Sequence, residues 1–463
     1  MSVYGMGQGA RVRPSGGCPF CGLCRTFWRA VGVFCITARI FRTHEALWEG
    51  GHTPVEQIYK LYSSLTELEQ RKTWAEIDLG ALRRNYRLLC DTVHTSAPAA
   101  RILAVVKAEA YGHGAPECVR ALLAEGCDFF AVSCIDEAVA VRVVCDGAHR
   151  PADILILGYT HPSLASHLAR FNIIQTLLSE DYAVQLDRAA TAAGVNVRTH
   201  VALDTGMNRI GFAAHSPEEM VASTAAILRV SGFPGLAVEG MFTHFARADE
   251  APDSEGEAHT DLQAARYRRV MQMLEERGLH IPFHHACNSA AAMRRPQDYL
   301  NGVRIGILLF GARPSDRIDP PLAPVMKLKT VISHLHRLLP GESVSYGGDF
   351  VADSERLIAT VPIGYADGFL RAYTGTFVTV HTAEGCRTAP IIGRICMDQC
   401  MIDVTGTGAQ SGDVVTLFGE DPKQLSAFAA RADTIDYECL CLISSRVKRV
   451  YLEGESDLPS QNT

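Results

Sequence analysis

The sequence predicts a (β/α)8 barrel followed by a β-rich domain. Three observations carry this reading. Eight short apolar runs alternate with segments of helical period between residues 102 and 306, most runs end in polar or glycine-containing turns, and after Pro320 the helical period gives way to strand signals. The runs are ILAVV at 102–106, FFAVS at 129–133, ILIL at 154–157, IIQTLL at 173–178, VRTHVAL at 197–203, LAVEGMFTH at 236–244, PFHHA at 282–286 and VRIG at 303–306. Helical stretches such as APECVRALLAEG, with Val119, Leu122 and Leu123 on one face, lie between them. The later strand signals include VMKLKTVISHLHRL, SVSYGGDFVA, RLIATVPIGYADG, GTFVTVHTA, APIIGRICMDQCMIDVT and DVVTLFG. TWAEIDL at 73–79 is expected to pair with this β domain, and a helix at Pro422–Ala432 and a strand at Arg446–Leu452 close it. The expected divisions are an extension over 1–71, poorly ordered or a helical arm at Pro54–Glu69; a pairing strand over 72–81; a barrel over 82–316; a β-rich domain over 317–455; and a tail over 456–463.

The chain has 463 residues, 47% hydrophobic and 21% charged, enough for a large core and two or three domains. Its 44 Lys plus Arg and 51 Asp plus Glu are scattered, which argues against a nucleic-acid or anionic-membrane partner. The apolar stretch Ala30–Ala38 is nine residues long, fenced by Arg29 and Arg39, against the roughly 18 that a membrane span needs. Fifteen cysteines at irregular intervals, in a chain too large to need disulfide staples, are expected to be free thiols in a reducing compartment.

Residues 1–44 contain six Arg and no Lys, Asp or Glu. An export signal would need an earlier apolar run and an A-x-A cleavage pattern, so the expected location is cytoplasmic. GMGQGA at Gly5–Ala10 matches a dinucleotide fingerprint in form, but no strand precedes it to build the phosphate cradle. Cys18, Cys21 and Cys24 have spacing that would suit a metal, yet nothing identifies a fourth ligand, and an unpaired segment is the plainer reading.

Barrel enzymes place chemistry at the C-terminal ends of their strands. Lys107 follows the first strand, Asp204–Arg209 follow the fifth, Thr243 and His244 close the sixth, Asn288 and Ser289 follow the seventh, and Arg304 lies in the eighth. Alone, each has an ordinary explanation, such as a solvated lysine or a satisfied core histidine. Together they mark one rim. A lysine at an apolar strand end suits a Schiff base, because desolvation lowers its pKa from about 10.4 and frees the amine as a nucleophile. Asn288, Ser289 and Tyr111, together with the backbone amides around Gly306 and Ile307, supply neutral donors for a phosphate, and the nucleotide P-loop pattern is absent.

AVVKAEAYGHG at 104–114, LDTGMNRIGF at 203–212, EGMFTHFARADE at 239–250, ACNSAA at 286–291, VRIGILLFG at 303–311, SYG at 345–347, GYADGFLR at 364–371 and GRICMDQCMIDVT at 393–405 resemble the motifs of the alanine racemase family. The resemblance covers residues 72 to 452, in order. It implies a pyridoxal 5′-phosphate (PLP) enzyme, a head-to-tail homodimer interconverting L- and D-alanine for peptidoglycan. Lys107 would hold PLP and act as one acid/base, and Tyr346 of the second subunit would be the other, on the opposite face. His244 and Arg304 would support the tyrosine, Arg304 would keep the cofactor's pyridine nitrogen unprotonated, and Asp398 would support the loop of Met397 and Tyr365. Tyr111, Ser289, Gly306, Ile307 and Tyr437 would contact the phosphate, with Asn288 beside them. Arg209 and the backbone at Met397 would hold the substrate carboxylate, and Tyr365 would narrow the entrance.

Three positions depart from the family pattern. Ala202 stands where a carbamylated lysine often positions the arginine, which leaves Arg209 to water, an anion or another side chain. Glu109 replaces a common Asn and would raise the pKa of Lys107 if it pointed inward. Phe310 replaces a Tyr. The rival readings are a racemase of serine or broader specificity and a non-catalytic PLP-binding protein.

Overall fold

Parallel strands covered on both faces need apolar residues on both, so they read as continuous runs rather than as alternation. A computed structural model describes residues 72–454 and bears this out. The chain passes through β1 (Thr73–Asp78), β2 (Arg101–Val105), β3 (Phe129–Val132), β4 (Asp153–Ile156), β5 (Ile174–Leu177), β6 (Val197–Asp204), the two-residue β7 (Phe212–Ala213), β8 (Leu236–Phe242), β9 (Phe283–His285) and β10 (Gly302–Ile305). Strands β2, β3, β4, β5, β6, β8, β9 and β10 pair in that cyclic order, all parallel, and β10 returns to β2. All eight apolar runs thus become the staves of a closed barrel. β3 and β5 are buried along their whole length.

Helices between the staves follow their capping signals. Asp78 accepts the Ala81 N–H at 2.8 Å and starts the helix Leu79–Ser96, whose Leu82, Tyr86, Leu89 and Val93 recur at helical spacing on its buried side. Ser216 and Glu219 form a reciprocal capping box at the start of Pro217–Ser231.

The second part of the chain contributes β11 (Met326–Val331), β12 (His334–Leu338), β13 (Ser343–Val344), β14 (Phe350–Val351), β15 (Arg356–Val361), β16 (Phe377–Thr382), β17 (Gly385–Ile392), β18 (Cys400–Asp403), β19 (Val414–Phe418) and β20 (Lys448–Leu452). Nine strands form one sheet in the order β12, β15, β18, β17, β16, β19, β11, β1, β20. The run VMKLKTVISHLHRL is divided into β11 and β12, because its halves pair with different neighbours, β19 and β15. β1 lies between β11, antiparallel to it, and β20, parallel to it. The Lys329–Glu76 ion pair at 2.7 Å and a Thr73–Thr330 hydrogen bond at 3.1 Å cross that seam. The strand before the barrel therefore ties the sheet to it.

Cys18, Cys21, Cys24, the helical arm and the tail from 456 lie outside the described residues. Among those described, no group of three His, Cys, Asp or Glu is placed to hold a metal, and no helix is long and apolar enough to cross a membrane.

Candidate active site

Lys107 follows the end of β2 and opens a turn of reversed hand. Ala108, Glu109, Ala110 and Tyr111 have φ of 50°, 54°, 53° and 54°, a run of four non-glycine residues in the left-handed region. Each such residue costs about 1–2 kcal/mol, so the turn persists only because its surroundings hold it. Glu137 accepts the Ala108 N–H at 2.7 Å, Val106 O accepts from Ala110 N at 2.9 Å, and Glu109 O accepts from Gly114 N at 2.8 Å. Burial first, then the charge of Arg209, pushes the Lys107 amine below its ordinary value, against smaller opposing effects of Cys441 and Glu137. Glu109 does not point inward. Its carboxylate accepts the Ala115 N–H at 3.1 Å and starts the next helix.

Arg304 projects from β10 into a layer of buried polar groups and is 3% exposed. Its Nη1 donates to His285 Nδ1 at 2.7 Å and to His285 O at 3.1 Å. Its Nη2 donates to Thr243 O at 2.7 Å and Ala286 O at 2.8 Å, and lies 3.4 Å from His244 Nδ1. Burial lowers the pKa of this guanidinium to about 10. His244 is pushed down to about 3 by burial, then by Arg304, Arg209 and Lys107. It is a neutral imidazole at pH 7, able to donate from one ring nitrogen and accept at the other.

Beyond the turn, Tyr111 lies with its ring 6.0 Å from Tyr437 and 5.3 Å from Phe310. Its hydroxyl sits over Gly306, where a β-carbon would come within 2.3 Å of it, so only glycine leaves room. Gly306 N donates to Ser289 Oγ at 3.0 Å, which brings three of the expected phosphate contacts together. Ile307 follows, fully buried. Asn288 caps the helix Ser289–Arg294 by accepting from Ala291 N at 3.0 Å and donates to Phe245 O at 3.2 Å, so its role here is to hold the turn. Arg209 is exposed at the end of a loop that Asp204 shapes, its Oδ1 accepting from the amides of Gly206, Met207 and Asn208. Ala202, in β6, is buried.

A separate group forms in the β-rich part. Tyr365 N donates to Cys396 O at 3.1 Å and Ala366 N to Met397 O at 3.0 Å, which ties the Tyr365 and Met397 loops together. Asp398 accepts from Arg446 at 2.7 Å, Arg446 also lies 3.5 Å from Asp367, and Asp367 accepts the Gly364 N–H at 3.1 Å. Ser345, at φ 66°, donates to Arg394 O at 2.6 Å and anchors the turn that carries Tyr346. Tyr346, Met397 and Tyr365 are 69%, 54% and 43% exposed.

Two family models match almost the whole described region: the alanine racemase N-terminal domain over residues 77–314 and the alanine racemase C-terminal domain over residues 325–451. The chain belongs to the alanine racemase family. It is 40% identical over 391 residues to alanine racemase 1 of Clostridium acetobutylicum, covering 83% of this chain and 96% of that one. It is 39% identical over 386 residues to the alanine racemase of Desulfovibrio desulfuricans, covering 83% and 99%. Among solved structures, alanine racemase from Streptomyces coelicolor A3(2) superposes with a TM-score of 0.75 at 33% identity, covering 83% of this chain and 98% of that one. The Bacillus anthracis enzyme with bound L-Ala-P superposes at 0.73 and 32% identity, covering 82% and 95%. The chain is thus an isomerase of the racemase class with the barrel and β-rich parts of its relatives.

The residues that hold the candidate site in shape carried no signal in the sequence. His285 lay inside the PFHHA run and read as strand. Glu137, in the first turn of the helix after β3, carried no motif. Arg394, inside the GRICMDQCMIDVT motif, and Arg446, at the start of the closing strand, gave no sign of which backbone or carboxylate they would meet.

Proposed function

We propose that this chain interconverts L- and D-alanine with PLP, through two acid/base groups, Lys107 and Tyr346, approaching from opposite faces. The observation that carries the reading is the division of the candidate groups. Lys107, His244, Arg304 and the Tyr111–Ser289–Gly306 cradle are assembled inside one barrel, while Tyr346, Tyr365 and Met397 stand exposed on the β-rich part. That division suits a head-to-tail homodimer in which each barrel receives its second base from the partner.

The residues present fit PLP. A lysine with a lowered pKa stands at the rim, and Gly306, by carrying no β-carbon, lets the Tyr111 hydroxyl sit beside the Gly306 amide and Ser289 Oγ, a cluster of neutral groups suited to a phosphate. Tyr111, Tyr437, Ser289 and the amides of Gly306 and Ile307 would hold the phosphate, and Lys107 the aldehyde carbon. Bound there, PLP would withdraw electrons from an amino acid's Cα and make its proton acidic. Lys107 would take or give that proton on one face and Tyr346 on the other, and inversion follows because the proton leaves one side and returns on the other. A phenol with reference pKa about 10 is a poor base at pH 7 unless its anion is stabilised, which His244, backed by Arg304, would do. Arg304 has only N–H donors to offer, so it would keep the pyridine nitrogen unprotonated and disfavour side reactions that need a stronger electron sink. Arg209 and the Met397 amide would take the carboxylate, Asp398 would brace that loop through Arg446, and Tyr365 would limit the side chain to about a methyl group. A cytoplasmic role supplying D-alanine to peptidoglycan follows from this reading.

The test is a D-alanine assay on the purified chain given L-alanine and PLP, with absorbance recorded before and after borohydride. Turnover with a reduced adduct on Lys107 is expected. An adduct without D-alanine moves the reading to serine or a broader substrate, and no adduct removes Lys107 from it.

A further inference from the structure

Beneath Arg304 the barrel interior holds a second pair of histidines that the proposed chemistry does not use. His285 Nε2 lies 3.0 Å from His200 Nδ1, and both rings are at most 1% exposed. On its far side, His200 Nε2 lies 4.0 Å from Glu239 Oε1. Glu239 in turn binds Arg198 at 2.8 Å, and Arg198 and Arg101 share Asp153, each at 2.8 Å, around the N-terminal mouth of the barrel. A line of polar contacts therefore runs through the barrel from one mouth to Arg304.

The hydrogens along this line have one consistent order. A guanidinium has donors only, so His285 Nδ1, 2.7 Å from Arg304 Nη1, must be the acceptor. A neutral His285 then carries its hydrogen on Nε2 and donates to His200 Nδ1. His200 in turn carries its hydrogen on Nε2, facing the Glu239 carboxylate. Both imidazoles are neutral at pH 7: burial pushes His200 down to about 3, and His285 is lowered strongly by burial and then by Arg304.

The local sequence is shaped to this contact. The β6–β8 pairing slips by one residue after Thr199, so that Thr199 faces Val238 while His200 faces Gly240, and Glu239 is the extra residue of the bulge. A β-carbon on Gly240 would lie 2.4 Å from His200 Nε2, so the ring occupies space that only glycine leaves. Phe129 and Phe283 line it at 6.1 and 5.8 Å between ring centres. An apolar side chain would suit those walls better than an imidazole does.

We propose that His200 is a positioning residue for the racemase reaction: by accepting from His285 Nε2 it fixes the tautomer that presents His285 Nδ1 to Arg304, and so holds the guanidinium in place at the rim. This rests on the reading of Arg304 as part of the active site. Without His200, a buried His285 N–H would lack a partner, and turning the ring to find one would withdraw the acceptor from Arg304.

Two variants separate positioning from packing. His200→Phe keeps a ring among Phe129 and Phe283 but cannot accept, whereas His200→Asn loses the volume and keeps an acceptor. In the PLP-loaded enzyme, His200→Phe is expected to lower kcat about tenfold with KM for L-alanine within about twofold, and His200→Asn to recover most of that loss. Packing alone would rank Phe at or above Asn, and that ranking, or an unchanged His200→Phe enzyme, overturns the proposal. Imidazole ¹⁵N spectra of the full chain, with signals assigned by their loss in His200 and His285 variants, provide a readout independent of turnover and of any misfolding of the Phe variant. Hydrogen on Nε2 of both rings is expected at pH 7, and hydrogen on Nδ1 of either ring overturns the order. If the wild-type chain fails to racemise alanine, the proposed function fails, while the spectra still decide the proton order.

Discussion

The two groups of candidate residues are held by opposite means. In the barrel the side chains themselves are fixed: Arg304 is 3% exposed and meets three carbonyls and an imidazole, and Tyr111 is packed against Gly306. In the β-rich part the loops are fixed and the side chains are left outward. Ser345, Cys396 and Asp367 anchor backbone, while Tyr346 and Met397 stand more than half exposed. Large apolar surface left open on a well-braced loop marks a contact to be completed elsewhere. Within the racemase reading, the first group is a half-site finished in one chain and the second is a half-site offered to another.

The sharpest way to break that comparison is to disable one half at a time. Lys107→Ala is expected to abolish the borohydride-reducible adduct and lower turnover by about 10³-fold or more, and Tyr346→Phe to keep the adduct and lose about 10²–10⁴-fold. Co-expressing the two variants tests the division itself. Mixed dimers would carry one intact site, so about a quarter of wild-type activity should return. If both halves of a site come from the same chain, no activity returns, and the exposed group needs another explanation.

Stability sets the halves apart on a smaller scale. Arg304→Gln leaves buried carbonyls and His285 Nδ1 short of donors, and should cost about 1–3 kcal/mol in urea denaturation. Tyr346→Phe, at an exposed position, should stay within about 0.5 kcal/mol of wild type. Equal losses would mean that the outward loops depend on their side chains after all.

Acid should act through the barrel. Burial lowers His113 to about 4 and His200 to about 3, against an ordinary value of about 6.5, so the unfolded chain takes up these protons first as pH falls. Their contribution is complete above pH 6.5 and is lost on the way down to those folded values, at about 1.4 kcal/mol per pH unit for each residue. Melting temperatures recorded from pH 7.5 to 5 should fall steadily below 6.5. His200→Asn should make the fall shallower.

The eight staves were legible because a parallel strand covered on both faces reads as a largely apolar run, and the rim residues were legible because most stood at the end of such a run, with Arg304 inside the eighth. The β-rich sheet was legible as strands but not as an order: nothing local to TWAEIDL says that β1 will lie between β11 and β20. The supporting residues were hidden for a related reason. His200 and His285 sit inside strand runs, where an imidazole looks like a core residue. Their significance comes from contacts between positions 85 apart in sequence, and from a one-residue bulge that alternation alone does not reveal. The left-handed turn at Ala108–Tyr111 was invisible as well, since none of its four residues is a glycine to announce positive φ.

That turn also yields the smallest expected effect. Glu109 follows Lys107 by two positions, yet its carboxylate caps the helix at Ala115, while Glu137, thirty residues on, is the carboxylate whose charge bears on Lys107. Glu137 accepts from Ala108 N with one oxygen and from Ser133 N and Oγ with the other, so an amide there must give up part of the set. Glu137→Gln should therefore loosen the start of the left-handed turn and cost about 1–3 kcal/mol, with a weaker adduct at Lys107. Glu109→Gln keeps an oxygen for Ala115 and should change stability by less than about 0.5 kcal/mol and the pH dependence of adduct formation hardly at all. A shift in that pH dependence for Glu109→Gln but not Glu137→Gln would mean that the two carboxylates exchange places in solution, and that the barrel half of the site is less fixed than its hydrogen bonds imply.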